Sequence, residues 1–157
     1  MRLPAGRARD LFATAPVARL ATLGSEGAPR LVPVTFAVEG DVIVTAVDHK
    51  PKATTDLRRL RDIARDPRVC LLADHYEDDW RRLWWARADG RAEVVQGGAE
   101  RERAVALLVG KYAQYRGRPP AGPAVLVRVD RWSGWSYAGG EGDDAAPGTV
   151  DEENAAD

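Results

Sequence analysis

Residues 17–47 read VARLATLGSEGAPRLVPVTFAVEGDVIVTAV, and the architecture turns on how this stretch is divided. Val17 to Leu23 (VARLATL) reads as a strand. Gly24-Ser25-Glu26-Gly27 is turn chemistry. Arg30 to Val38, rich in valine, predicts a second strand. Pro33 has no N–H to give a ladder. That strand therefore belongs at an edge, carries a bulge, or runs where a ligand takes a neighbour's place. Glu39-Gly40-Asp41 turns the chain into a third strand, Val42 to Val47, and the three together predict an antiparallel meander.

Outward from this stretch, Ala8 to Ala15 predicts a short helix stopped by Pro16. Lys52 to Asp66 is an amphipathic helix, with Leu57, Leu60 and Ile63 or Ala64 on one side. Its arginines Arg58, Arg59, Arg61 and Arg65 are expected on the wet side. Val69 to Ala73 is a short apolar strand, in which Cys70 reads as a small core hydrophobe. Asp78 to Trp85 leads into a strand ending at Val95, with Asp89-Gly90 as a hairpin turn or bulge. Ala99 to Tyr115 predicts a second amphipathic helix, and Ala124 to Val129 a last strand followed by Trp132 and Trp135. About six strands, two main helices and no βαβ alternation predict a mainly β (α+β) chain. It is read as a six-stranded antiparallel barrel with peripheral helices.

The chain has 157 residues, enough for one domain with a real core. Its longest apolar run, Ala104 to Val109, is far short of the roughly 18 residues of a membrane span. A single cysteine excludes an internal disulfide and a cysteine-based zinc site, so a reduced, cytoplasmic setting is expected. There are 24 acids and 23 bases in all, but seven acids and no base lie in residues 139–157. Residues 1–138 are left with 17 acids against 23 bases, a body of net charge +6 that would attract an anion. The division expected is therefore a folded domain over 1–138 and an acidic, disordered tail over 139–157.

No phosphate loop, G-x-G-x-x-G, G-x-S-x-G or H-E-x-x-H is present, and His49 and His75 are not spaced as metal ligands. A bound cofactor would have to bring the reactivity. Only three of the bases are lysines, and two of them, Lys50 and Lys52, sit together where a strand gives way to a helix. A cation at a helix N-terminus is unfavourable alone and favourable around an anion, so the pair reads as a phosphate grip or as two solvated lysines. Five tryptophans are the second signal. Trp84 and Trp85 are adjacent in a strand and face opposite ways, so one can enter the core while the other lines a pocket or interface.

Taken in order, ARLATL, GSEGAPRLVPVTF, EGDVIVTAV, KPKATTDLRRLRDIARDPRVCLL and DDWRRLWWARADGRAEVV resemble the FMN-binding split β-barrel proteins of the pyridoxamine-phosphate-oxidase-like class. Within that class the chain is similar to the small actinobacterial branch of F420-dependent enzymes, over about Asp10 to Tyr137. The resemblance implies a homodimer with two cofactor sites at the subunit interface. It implies that Arg30, Val32, Pro33, Val34 and Thr35 line a flavin-like ring. Thr45, Ala46, Lys50 and Lys52 would hold the ribityl phosphate, and Trp132 or Trp135 would reach the partner's site, with Trp85 a further lining candidate. The substrate-phosphate arginine and histidine of true pyridoxamine-phosphate oxidases find no match here. The implied activity is hydride transfer between reduced coenzyme F420 and a small-molecule acceptor. The alternatives are FMN on the same fold and a non-catalytic F420 carrier or sensor. The arginines are dispersed and no recognition module is visible, so nucleic acid is not an expected partner, and neither is a membrane.

Overall fold

The computed structural model describes residues 1–47 and 54–138. Helix α1 (Ala5–Thr14) leads into β1 (Ala18–Leu23), β2 (Pro29–Val34), β3 (Ala37–Glu39) and β4 (Val42–Ala46). Helix α2 (Thr54–Arg65), β5 (Arg68–His75) and β6 (Trp84–Val95) follow, then α3 (Ala99–Lys111), the one-turn α4 (Gln114–Gly117) and β7 (Ala124–Ser136). The acidic stretch 139–157 and the segment carrying Lys50 and Lys52 lie outside the described residues.

Seven strands are present among the described residues, not the six expected. The additional strand comes from the division of Arg30–Val38. The chain does not run straight through this stretch: β2 ends at Val34, Thr35 and Phe36 lie outside any ladder, and β3 begins at Ala37. The two pieces part company. β2 pairs with β1, whereas β3 pairs with β4. The sheet order is β2-β1-β5-β6-β7-β4-β3, every described ladder is antiparallel, and no ladder closes its two edges. The expected meander is therefore corrected. β4 lies between β3 and β7, and the broken strand supplies both edges of one long curled sheet. Pro33, unable to donate, sits on the β2 edge.

β6 and β7 are the long central pair, matched from Trp84 opposite Ser136 to Val95 opposite Ala124. The last strand thus runs well past Val129 and contains both Trp132 and Trp135. The register of β6 against β7 shifts between Asp89 and Gly90, a bulge in which β7 carries the additional residue, Asp130, and not a hairpin turn. A Cβ on Gly90 would collide with the Arg128 carbonyl, and one on Gly134 would stand 2.7 Å from the Trp85 carbonyl. Each glycine lets two backbones approach more closely than any side chain permits.

Small residues in the middle of the sheet make room for large aromatic ones above them. Ala73, Ala86, Ala88 and Ala92 floor a space filled by Phe12 of α1, by Phe36 and by Trp132. Phe12 packs tilted against Phe36 at 4.9 Å between ring centroids, and edge-on to Trp132 at 5.3 Å. Such pairs are worth about 0.5–1.5 kcal/mol beyond the area they bury. From α2, Leu60 and Ile63 join this core while Ala64 is exposed. A second cluster lies under α3, where Ala104 and Leu108 pack on Val44, Ala124 and Leu126.

Gly90→Ala is expected to destabilise the fold by about 1–3 kcal/mol, because the methyl group meets backbone that cannot swing aside. Urea unfolding of the variant beside wild type measures this, and an unchanged midpoint would mean that the bulge absorbs a side chain freely.

Candidate functional site

Strand parity decides which of the sequence candidates meet. Ala18, Leu20 and Thr22 of β1 are buried, and they stand opposite Val34, Val32 and Arg30 of β2. Arg30, Val32 and Val34 therefore look inward. Leu31 and Pro33 look outward, with Leu31 68% exposed. The same alternation carries Ala21, Leu72, Trp85 and Trp135 to the outer face, where Trp85 stands directly opposite Trp135. Both indoles are half-buried. The outer face of β2, β1, β5, β6 and β7 is thus a broad, mixed surface of apolar side chains with two ion pairs on it, Arg87 to Asp89 at 3.0 Å and Arg19 to Asp74 at 3.7 Å.

Trp132 is on the other face. It is 9% exposed, packs on Phe12, and its indole N–H donates to the Asp41 carboxylate at 3.0 Å. The expectation that Trp132 reaches a cofactor is corrected, since in a strand position 132 faces the core and position 135 faces away from it. Thr45 and Ala46 of β4 are also buried, Thr45 at 1% exposure. The outward set is therefore Pro33 and Trp85, joined by Leu31 and Trp135. The inward set is Arg30, Val32, Val34, Thr45 and Trp132, while Ala46, on the opposite face of β4, is buried under α3.

Arg30 is held by a partner that sequence reasoning missed. Asp62 of α2 is only 2% exposed; it accepts from the Arg65 guanidinium at 3.0 Å and the Thr22 hydroxyl at 3.3 Å, and the Arg30 Nε stands 2.9 Å away as an ion-pair partner outside hydrogen-bond geometry. A buried carboxylate needs such donors. The Arg30 guanidinium also lies over Gly24, where a Cβ would come within 2.6 Å of Nε. Arg59, expected on the wet side of α2, is 8% exposed. The signal for this arrangement is Asp62 set among Arg58, Arg59, Arg61 and Arg65 in the helical stretch.

The break between β2 and β3 is the second arrangement that only the fold reveals. Tyr112 is extended (φ −114°, ψ 116°) and ends α3. Its hydroxyl accepts the Phe36 N–H at 3.0 Å and faces the carbonyls of Phe36 at 3.1 Å and Pro16 at 2.9 Å. One phenol thus serves backbone groups that have left both ladders. Thr35 shares a 2.7 Å hydrogen bond with the Tyr115 hydroxyl. Lys111 places its ammonium 3.6 Å from the centre of the Phe36 ring and donates to the Ala15 carbonyl at 2.8 Å. Burial pushes the Lys111 pKa down to about 8, so it is still charged at neutral pH, where the ring face and the carbonyl receive it. Cys70 is half-buried, not core. Burial, with the Asp89 carboxylate adding to it, raises its thiol to about 11 and keeps it protonated and unreactive.

The profile of the pyridoxamine 5'-phosphate oxidase family matches residues 5–136. The chain belongs to that family. A curated relative, an L-cysteine:1D-myo-inositol 2-amino-2-deoxy-alpha-D-glucopyranoside ligase of Thermomonospora curvata, is 34% identical over 102 residues, 59% of this chain. The chain spans about a quarter of that ligase (24%). A conserved hypothetical protein of Mycobacterium tuberculosis superposes with a TM-score of 0.69 at 20% identity, covering 86% of each chain. A protein from Mesorhizobium loti described as FAD-binding superposes with a TM-score of 0.66 at 18% identity, covering 85% of this chain and 95% of that one. At these identities the two superpositions establish the fold, an antiparallel sheet with helices of the split-barrel kind. No helix among the described residues is long and apolar enough to cross a membrane.

Lys111 makes stability depend on pH in a defined direction. Its folded pKa of about 8 lies below the ordinary lysine value of 10.5, so between these the unfolded chain holds more protons, and stability rises with pH across that window. Below about 8 both states are protonated and the contribution is flat. Denaturant unfolding from pH 7.5 to about 10 is expected to show wild type gaining on Lys111→Met over this range. A gap that stays constant would show that the ammonium is not desolvated.

Proposed function

We propose that the protein is an oxidoreductase that binds the deazaflavin coenzyme F420 between two copies of the chain and transfers hydride between its reduced form and an organic acceptor. The observation that carries this reading is the family match over residues 5–136, in a chain whose β2 edge is left open on the outer face. An edge strand offers a free row of backbone N–H and C=O groups. Leu31 and Pro33 of β2 stand on this outer face, and the same face carries Trp85 of β6 and Trp135 of β7, three and four strands further across the sheet, flat or apolar groups suited to a planar ring or a partner chain. A second copy laid on this face would cover those side chains and complete the site, which is the support for a homodimer.

Reduced F420 supplies the hydride from C5 of its ring. The chain's own part is to hold that ring along β2, to place the acceptor against it and to exclude water, work that needs little acid–base machinery. Lys50 and Lys52, which follow β4 in sequence, are assigned to the phosphate. The net charge of +6 over residues 1–138 favours F420 over FMN, because F420 adds a phosphodiester and an oligoglutamate to the shared ring plan. The second reading, a flavin on the same fold, is favoured by the Mesorhizobium loti relative described as FAD-binding. The acceptor is a small molecule, and the setting proposed is the cytoplasm.

Fluorescence titration of F420 and absorbance titration of FMN into the full chain test this reading. F420 is expected to bind more tightly than FMN. Lys50→Ala and Lys52→Ala should each weaken F420 binding roughly 10- to 150-fold, the loss of one charge-assisted contact, with melting of the apo protein unchanged. Tighter FMN binding would select the second reading, and wild-type affinity in both variants would remove the phosphate assignment.

A further inference from the structure

A cavity of about 610 Å³ opens between α1 and the end of the sheet where β5 stops and β6 starts. It is distinct from the outer face of β2. Its lining joins Arg7 from α1, Asp74 and His75 from β5, Arg82 from the Trp80–Arg82 turn and Trp84 from β6, with Pro16 at its edge. The basic groups come from three separate elements, so their convergence is a product of the fold and not a run of surface charge. Asp74, the one acid in the lining, is already matched by Arg19 at 3.7 Å. Glu77, just outside the lining, pairs with His75 and stands 3.5 Å from the Arg82 Nε. A tethered carboxylate of the chain thus balances the cations that the cavity presents.

One objection is that α1 ends here, and a helix C-terminus repels anions through its unpaired carbonyls. Two of the last four carbonyls of α1, and the two that follow the helix, are met by donors. The Leu11 carbonyl accepts from the Thr14 hydroxyl at 2.6 Å and the Phe12 carbonyl from the Ala15 N–H at 3.1 Å. The Ala15 carbonyl takes the Lys111 ammonium at 2.8 Å and the Pro16 carbonyl the Tyr112 hydroxyl at 2.9 Å. The negative end of the helix is capped by donors, one of them charged, which leaves the arginines to set the sign of the cavity.

From these observations we infer that the cavity is a binding site for an organic anion with a flat apolar body, an aromatic carboxylate being the simplest case. Arg82 and Arg7 receive the anionic group, since a guanidinium matches a carboxylate in plane. The indole of Trp84, which packs against the core and is fixed by it, supplies the flat wall. The volume falls in the range of small-molecule sites. Glu77 is then the internal competitor that the ligand displaces from Arg82 and His75. This inference does not depend on the cofactor reading.

Calorimetric titration of the full chain with 2-naphthoate, and with its neutral analogue 2-naphthamide, tests the assignment. The acid is expected to bind at least about tenfold more tightly than the amide, a difference of about 1.4 kcal/mol. Arg82 is exposed, so its variants should melt like wild type. Arg82→Glu should lower naphthoate affinity about tenfold or more, Arg82→Lys should keep much of it, and Glu77→Gln should tighten binding severalfold. Tightening on removal of Glu77 is a result that a merely structural role for the pair would not produce. Equal binding of acid and amide, undiminished binding by Arg82→Glu, unchanged or weaker binding by Glu77→Gln, or no binding by wild type at millimolar probe would each overturn the inference.

Discussion

Phe36 must leave one edge of the sheet and enter the other without stranding its backbone in an apolar core. Its ring is fully buried against Phe12, so water cannot serve the amide and carbonyl beside it. The Tyr112 hydroxyl does so, and it also reaches the Pro16 carbonyl at the α1–β1 junction. One side chain thereby ties α3 to both the strand break and the end of the first helix. An unpaired buried polar group costs about 1–3 kcal/mol, and this junction holds several. The curl of the sheet, the outward edge of β2 and the cover that α1 gives the core all depend on the junction being satisfied.

With the break fixed, strand parity does the rest. β2 keeps Val32 and Val34 in the core and turns Leu31 and Pro33 out, onto the same face of the sheet that carries Trp85 and Trp135 three and four strands away. The buried Asp62 holds Arg30 at the inward side of the same strand. One strand thus has a face committed to stability and a face free for a partner or a ring. The cavity by α1 lies at another part of the sheet and has a different character, charged where the outer face is apolar.

Much of this was legible in the chain and some was not, for physical reasons. Most strands announced themselves as short apolar runs rich in β-branched residues, and Pro33 marked an edge. The split at Thr35–Phe36 left no local sign, because both halves are β-formers and the residue that permits the break, Tyr112, is 76 positions away. Trp132 and Trp135 could not be told apart until β7 was seen to continue through them, since only a strand gives positions three apart opposite faces. Arg59 read as wet helical surface, and Asp62 drew no assignment, because helical spacing shows which residues share a side, and not which side a second element covers. The third lysine, Lys111, stood out in an arginine-rich chain, yet its place on the Phe36 ring required the fold.

The central claim is that the outer face of β2 becomes a cofactor site only when a second copy of the chain covers it. Native mass spectrometry of the full-length protein reconstituted with F420 tests that claim most directly. The account predicts that the cofactor-bound species contains two chains and two cofactors, with single chains carrying none. A single chain holding F420, or a dimer that excludes it, would contradict the claim.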